Sequence, residues 1–393
     1  MKYRKNIKNG DDLSILGFGC MRLPKKGSGI DEERAIAQII TAIDQGVNYF
    51  DTAYIYSNGK SETILGMALA KGYRDQVKIA TKMPPFMVKK ASDLDKIFDT
   101  QLSRLQTDRI DYYLIHMLSD VATWERLKSL GIIEWIAEKK QKGQIINCGF
   151  SYHGGRTEFI NVMDAYDWDF CQIQYNYLDE FNQATKNGMH YATSKDVPVI
   201  IMEPLRGGKI VNGLPKEVNA IWTSAKPARS IANWALRWVW NHPEAMVVLS
   251  GMNTEEQLEE NILIASEMEA NTLTEADLTL FAKAKEILSQ KTKVNCTSCG
   301  YCMPCPAGVD IPTCFSSYNE KYMTPSKMAN FQYLQLTGAS TSKPGNASKC
   351  VHCKKCEQHC PQSIAISDKM TEVAKDMEKF WFKPVVAIAK KFM

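Results

Sequence analysis

Short apolar runs alternate with longer stretches of helical periodicity through the first 265 residues, and this alternation constrains the fold more than any other feature. The runs that read as strands are Leu16–Met21, Val47–Asp51, Val77–Lys82, Tyr112–His116, Ile145–Ser151, Phe170–Tyr175, Val197–Glu203 and Met246–Gly251. Helices are expected between them at Asp31–Gln45, Ser61–Lys71, Ser92–Gln106, Trp124–Lys142, Thr157–Tyr166, Gln183–Lys195, Ala228–Asn241 and Thr254–Ala265. Thr254-Glu255-Glu256-Gln257 reads as a capping box that opens the last of these. Eight strand–helix units in about 250 residues fit a (β/α)8 barrel. A doubly wound open sheet is the competing fold. If it bound a dinucleotide, it would carry G-x-G-x-x-G between its first strand and helix. The stretch here, Gly17-Phe18-Gly19-Cys20-Met21-Arg22, lacks the third glycine, so the expected class is α/β with a (β/α)8 TIM barrel.

The cysteines mark a second domain. Of twelve, Cys20, Cys148 and Cys171 are scattered in apolar settings, and the other nine fall between Cys296 and Cys360. A domain boundary is therefore expected near residue 291, with a barrel over 1–290, a cluster domain over 291–370 and a helical tail over 371–393. Cys350-x2-Cys353-x2-Cys356-x3-Cys360-Pro361 is the bacterial ferredoxin run in full. A zinc site would need one tetrahedral set of four ligands, and the Cys-Pro ending favours iron–sulfur. The earlier run, Cys296-x2-Cys299-x2-Cys302-x2-Cys305-Pro306, has a last gap one residue shorter. Two-cluster ferredoxins exchange their fourth ligand. On that pattern Cys296, Cys299, Cys302 and Cys360 hold one [4Fe–4S] cluster, and Cys350, Cys353, Cys356 and Cys305 hold the other, with Cys314 as the alternative to Cys305. The insertion between the runs, with helical stretches such as Pro325–Leu336, is similar to that of α-helical ferredoxin domains.

In a (β/α)8 barrel chemistry sits at the C-terminal strand ends. The polar residues there are Asp51, Lys82, His116, Ser151, Gln172 and Glu203, with Tyr56 five residues beyond Asp51. A tyrosine hydroxyl titrates near pH 10 and donates poorly at neutral pH. A nearby ammonium, itself held by a carboxylate, lowers that pKa and makes the phenol a usable general acid. Singly, Asp51 reads as a cap, Lys82 as a surface charge and His116 as a core histidine. Together, at the ends of strands two, three and four, they form a kit for carbonyl reduction.

These motifs resemble the aldo-keto reductase superfamily. The resemblance rests on Asp51-Thr52-Ala53-Tyr54-Ile55-Tyr56, Thr81-Lys82, Leu114-Ile115-His116, Cys148-Gly149-Phe150-Ser151, Gln172-Ile173-Gln174-Tyr175-Asn176, Pro204-Leu205-Arg206-Gly207-Gly208, and Leu249-Ser250-Gly251 through Glu260-Asn261. It covers residues 1–265. It implies that Tyr56 is the general acid, that Asp51 and Lys82 tune it, and that His116 orients the substrate carbonyl. It also implies that Ser151 and Gln172 hold a nicotinamide carboxamide, although the Asn that usually follows the Ser is Tyr152 here. Met202 replaces the usual aromatic platform for the nicotinamide, and Pro204, Leu205, Arg206 and Gly208 wrap the pyrophosphate. Gly19, Met21, Asp51 and Asn253 complete the implied contacts, and Glu260 and Asn261 fit the adenine. Where relatives that hold a 2′-phosphate often place Lys and Arg, this chain has Gly251 and Gln257. A phosphate without a cation partner is poorly held, which slightly favours NAD(H) over NADP(H), with Arg22 and Arg206 as other sources of charge.

Charge and hydropathy bound the rest. Hydrophobic residues make up 45% and charged residues 23%, as in soluble globular proteins. No signal-like segment opens the chain and no apolar run approaches the ~20 residues of a membrane span, so a cytoplasmic protein is expected. Residues 291–393 hold 14 Lys, no Arg and 7 acidic residues, a net of +7 in a chain of +4, leaving about −3 for residues 1–290. That excess reads as a solvated Lys-rich surface or as a dock for an acidic electron carrier, such as a ferredoxin or other redox partner protein. Nucleic-acid binding is not expected. The tail, with Phe380-Trp381-Phe382, is expected to pack on its own domain or a partner rather than on a membrane. Two functions stand: an oxidoreductase acting on a small carbonyl or alcohol, and an electron-transfer subunit whose barrel is a docking scaffold. The Asp51, Tyr56, Lys82 and His116 set favours the first, since a scaffold has no chemical need of it. Hydride transfer itself needs no cluster, and no flavin site is visible to split electron pairs.

Overall fold

The computed structural model of the chain describes residues 1–27, 29–154, 156–181, 183–323, 328–339 and 344–389. All eight expected strands form. In chain order they are β1 (Leu16–Gly19), β2 (Tyr49–Asp51), β3 (Lys78–Met83), β4 (Ile110–Leu118), β5 (Ile145–Tyr152), β6 (Phe170–Gln174), β7 (Val199–Met202) and β8 (Ala245–Ser250). Each pairs in parallel with its successor, and β8 pairs with β1 to close the barrel. Tyr49, Tyr112, Leu114, Phe170 and Ile200 fill its interior. A parallel barrel buries both faces of its strands, which is why these segments read as nearly continuous apolar runs. The N-terminal hairpin, Tyr3–Lys5 with Asp12–Ser14, ties in at the other end of the strands, where Tyr112 Oη donates to Asp11 Oδ2 at 2.8 Å.

The helices follow the expected order with two instructive differences. The single helix expected over Trp124–Lys142 is two, Val121–Ser129 and Ile132–Gln141. The break falls at Gly131, whose φ of 82° lies in the left-handed region that glycine enters freely. Thr254 does cap Glu255–Glu267 by accepting from Gln257 N–H. The expected return bond from Gln257 goes instead to Asn253 N–H, at 3.0 Å. A reciprocal box forms one helix later, where Thr274 and Asp277 open Glu275–Lys291.

Contacts partition the chain differently from composition. One unit comprises Met1–Leu205 and Ala232–Leu273; the other comprises Arg206–Ile231 and Thr274–Met393. The first holds the barrel. In the second, the helix Lys216–Ser224 packs on Glu275–Lys291, with the Trp222 and Phe281 rings 5.0 Å apart and Lys291 Nζ 2.9 Å from Glu217. Its core is built from Val309, Phe315, Tyr333, Met370, Val373 and Phe382, on the helices Ile311–Met323, Ala329–Leu336, Ile366–Met377 and Phe382–Ala389 and the loops between them. The start of the expected Pro325–Leu336 helix and residues 390–393 of the tail lie outside the described residues. Among the described residues no helix is long and apolar enough to cross a membrane.

Gly149, in β5, is packed so closely that a Cβ there would stand 2.4 Å from Phe170 O, a backbone atom that cannot move alone. Gly149→Ala is expected to force β5 from β6 and cost about 1–3 kcal/mol, read as a lower urea midpoint. An unchanged midpoint would show that the strand pair tolerates the methyl.

Candidate active site

Parallel register brings the polar strand ends to one level. Asp51 closes β2 opposite Ala80 of β3, Lys82 lies opposite Leu114 of β4, and Ser151 of β5 faces Gln172 of β6. Asp51, Lys82, His116, Ser151 and Gln172 are all buried. Lys82 Nζ donates to Asp51 Oδ1 at 2.5 Å and to Thr52 O at 2.7 Å. Asp51 Oδ2 accepts from Gln172 Nε2 at 3.0 Å, so both carboxylate oxygens are committed. Tyr56 starts the turn Tyr56–Gly59, in which Ser57 and Asn58 take positive φ of 49° and 56°. Its ring centre lies 5.0 Å from Lys82 Nζ, and it meets the His116 ring edge-on at 5.8 Å and 79°. The structure thus gathers Asp51, Tyr56, Lys82 and His116 around one point.

A second layer, illegible in the sequence, fixes this group. Glu62 is fully buried and accepts from Thr81 Oγ1 at 2.6 Å, Gln101 Nε2 at 3.0 Å and Arg104 Nη1 at 3.0 Å. Arg104 also donates to Tyr54 O and stacks on the Tyr54 ring at 4.5 Å. The loop from Asp51 to Tyr56 is therefore bound to the strand segment Thr81-Lys82. His153 is a further residue the sequence did not single out, although it follows Ser151 by two positions. It bonds with Gln183, whose Nε2 donates to Gln174 Oε1 at 3.0 Å, and Gln174 Nε2 donates to Asp179 Oδ2 at 2.8 Å.

Burial sets the protonation states. It pushes the Asp51 carboxyl up and the Lys82 ammonium down, and each partner opposes the other's shift. Burial, with the charge of Lys82, drives the His116 imidazole well below its ordinary value. A neutral imidazole keeps one N–H to donate. His153 is half-buried overall, but its Nδ1 is out of solvent and desolvation pushes it down to about 4.

Nicotinamide coenzyme would fit the remaining strand ends. With Nε2 committed to Asp51, Gln172 Oε1 is buried and has no hydrogen-bond partner among the described residues, which suits an acceptor for a carboxamide N–H. Ser151 Oγ accepts from Met117 N–H at 2.9 Å, leaving its own proton to donate. Met202 ends β7 beside Gln174, half-buried and apolar. Gly19 approaches Ser250 O so closely that a Cβ would stand 3.3 Å from it, and Met21 lies in the turn Cys20–Arg22 that follows. Gly251 follows β8, where a Cβ would lie 3.4 Å from that of Arg22; Arg22 pairs with Glu203 at 3.4 Å. Gln257 is engaged with Asn253, Glu260 is half-buried, and Asn261 is buried with Nδ2 donating to Ser250 Oγ at 2.9 Å. Pro204 and Leu205 belong to the barrel unit, and Arg206 and Gly208 to the second.

Within the second unit the cysteines form two groups. Cys296, Cys299, Cys302 and Cys360 line one cavity of about 310 Å3 with Ile311 and Phe315. Cys305, Cys350, Cys353 and Cys356 line another of about 350 Å3 with Val351 and Met370, both cavities being partly open to solvent. Cys314 lines neither: it is buried, with Sγ 3.7 Å from Tyr333 Oη and 3.5 Å from Gly345 O. Burial and the facing thiols push Cys302 up, and burial with Cys305 and Cys350 among its neighbours pushes Cys356 up to about 11. Among the described residues no three His, Cys, Asp or Glu side chains converge to hold a single metal ion. The soft thiolate donors instead ring spaces that fit a multi-iron cluster.

Comparisons with known proteins cover both parts. The description "Aldo/keto reductase family" matches residues 15–280, and "4Fe-4S dicluster domain" matches residues 295–365. The NADH-specific methylglyoxal reductase of Escherichia coli (strain K12) is 25% identical over 329 residues, covering 71% of this chain and 96% of that protein. L-galactose dehydrogenase of Arabidopsis thaliana is 25% identical over 310 residues, covering 69% and 92%. The holo form of aldo-keto reductase AKR11C1 from Bacillus halodurans aligns with a TM-score of 0.60 at 25% identity, covering 72% and 96%. An aldo/keto reductase from Klebsiella pneumoniae in complex with NADP and acetate shares the fold, with a TM-score of 0.59 at 21% identity over 72% and 95%.

The neutral histidines give the folded chain a pH signature. An unfolded histidine protonates near pH 6.5, whereas the folded imidazole of His153 waits until about 4. Between these values the unfolded state binds more protons, so stability falls as pH drops through that window. The urea midpoint of the cluster-loaded protein is expected to fall from pH 7 to pH 4, and less steeply in His153→Asn. Equal slopes for the two proteins would refute a desolvated His153.

Proposed function

The chain belongs to the aldo/keto reductase family and carries a 4Fe-4S domain, and we propose that it reduces a small carbonyl compound, or oxidises the matching alcohol, with Tyr56 as general acid and base. The observation that carries this reading is the buried Asp51–Lys82 pair set against the Tyr56 ring, with neutral His116 beside it. Bound nicotinamide supplies the hydride. Lys82 stabilises the phenolate that Tyr56 becomes as it gives its proton to the carbonyl oxygen. Asp51 keeps the ammonium charged and pointed, and His116 N–H orients the carbonyl oxygen. In the alcohol direction the same phenolate takes the proton back.

Gln172 Oε1 and the Ser151 hydroxyl would hold the carboxamide, so that one face of the nicotinamide is presented to the substrate. NAD(H) is preferred over NADP(H), because Gly251 and Gln257 bring no cation and Arg22 is engaged by Glu203. Two [4Fe–4S] clusters, on the two cysteine groups, carry single electrons. The Lys-rich second unit suits a ferredoxin or other acidic redox protein as partner. We place the enzyme in the cytoplasm, where its thiols stay reduced.

Tyr56→Phe is expected to lower kcat/KM for carbonyl reduction roughly 10²–10⁴-fold, the range of general acid catalysis, with coenzyme affinity unchanged. Anaerobically purified protein should hold about eight iron atoms and eight acid-labile sulfides per chain, from two cubanes. Full activity in Tyr56→Phe would remove the catalytic assignment, and about four iron atoms would remove one cluster.

A further inference from the structure

We propose that the cluster on Cys305, Cys350, Cys353 and Cys356 is the electron port of the protein. Its loop Cys350–Cys356 docks an acidic one-electron carrier protein through Lys354 and Lys355 around Val351. The inference rests on the cluster sites proposed above and names the surface that the partner uses.

The two ligand loops share spacing and backbone, so each position of one has a counterpart in the other. Cys296-Thr297-Ser298-Cys299-Gly300-Tyr301-Cys302 matches Cys350-Val351-His352-Cys353-Lys354-Lys355-Cys356. Ser298 and His352 take φ of 57° and 56°, and Gly300 and Lys354 take φ of 83° and 58°. Their exposure differs. Thr297 is buried, whereas Val351 is 66% exposed. Cys299 is half-buried, whereas Cys353 is exposed. The first loop carries no charged residue; the second carries two exposed lysines and no acid. Neither ammonium has a hydrogen-bond or ion-pair partner among the described residues. Glu357, next in the chain, is committed to Ser367 N–H at 2.8 Å.

Lys354 is also the strained choice. Glycine enters left-handed φ freely, while any residue with a Cβ pays for it, and Gly300 shows that glycine suffices at this position of such a loop. The loop is not slack, because His352 Nδ1 lies 2.7 Å from Ser367 Oγ on the helix Ile366–Met377. A side chain held in a strained conformation points to a functional demand, and what lysine has over glycine is reach and charge. Lys354 lines the second cavity with Val351 and Cys353; among the described residues no charged side chain lines the first. An exposed apolar centre with a cationic rim is the anatomy of a small interface. The net +7 of residues 291–393 steers an anionic partner towards it. In the docked complex one electron passes from the reduced carrier to the cluster, or back, with no bond made or broken. The carrier is oxidised as the cluster is reduced.

The test uses the full-length, anaerobically purified, iron-loaded protein with a reduced, acidic plant-type [2Fe–2S] ferredoxin as the probe. The dissociation constant is measured at increasing ionic strength, and electron transfer as the rate of ferredoxin oxidation in stopped flow. K354Q/K355Q is expected to weaken binding and slow transfer about tenfold at low salt, with the difference closing as salt screens the charges. K354G weakens binding about threefold while its urea midpoint holds or rises, because the strain is relieved; a merely structural lysine would show the reverse. K216Q/K283Q removes the same charge from the helices Lys216–Ser224 and Glu275–Lys291, which line neither cavity, and changes binding by less than about twofold. Equal iron content in all variants separates charge from misfolding. Equal affinities of wild type and K354Q/K355Q overturn the dock, as does an equal loss in K216Q/K283Q, which would make the attraction one of net charge. Phosphatidylserine vesicles bound in place of ferredoxin would assign the loop to a lipid surface and overturn it too. Chains that purify without iron overturn the cluster reading and the port together, while iron-loaded wild type that binds no ferredoxin overturns the port alone.

Discussion

A lysine ammonium and a carboxylate taken out of water, 2.5 Å apart at the ends of two adjacent strands, set the terms for everything around them. Desolvating two charges is costly, and their attraction offsets that cost only when the geometry is tight and the remaining valences are filled. Here the geometry supplies further partners: Thr52 O takes a second Lys82 proton, and Gln172 occupies the second oxygen of Asp51. Losing either partner of such a pair costs about 3–5 kcal/mol, because the survivor is left buried and charged. The pair therefore needs β2, β3 and β6 in register, and the register needs a closed barrel. It also needs the Glu62–Arg104 layer, which holds the loop that carries Tyr56. A site that relied on packing alone would tolerate slippage; this one does not.

The second unit solves a different problem with the same economy of positions. Each cysteine cavity draws three thiols from one run and the fourth from the other, so Cys360 closes the first group and Cys305 the second. The two runs meet at both cavities and share the core of Phe315, Met370 and Val373. That core, rather than any disulfide, holds the loops where thiols can face inward.

Strands were the most legible part of the chain, because burial on both faces leaves continuous apolar runs whose polar terminators stand out. Asp51, Lys82 and His116 were visible for that reason. The break at Gly131 was not, since the apolar spacing of Trp124, Leu127, Ile132, Trp135 and Ile136 carries across it and only the backbone shows the turn. The capping box at Thr254 forms only in part, because Gln257 Oε1 accepts from Asn253 N–H, one residue before the cap. Glu62, Arg104 and His153 were hidden because their value lies in partners 19 to 42 residues away in sequence or on other strands. The reach of the Arg206–Ile231 segment into the second unit was hidden for the same reason, as composition changes at residue 291 while contacts do not.

That segment has a consequence for synthesis on the ribosome. Arg206–Ile231 emerges before the helix Glu275–Lys291 against which Trp222 buries its ring, and well before Cys360 completes the first thiol group. At translation rates of about 5–20 residues per second, roughly 6 to 26 seconds separate Ile231 from Cys360. Through that interval the apolar face of Lys216–Ser224, with Val218 and Trp222, waits without its cover, during the same seconds in which β8 arrives to close the barrel. The nascent chain must hold one half-built unit open while it finishes the other, and iron delivery has to follow both.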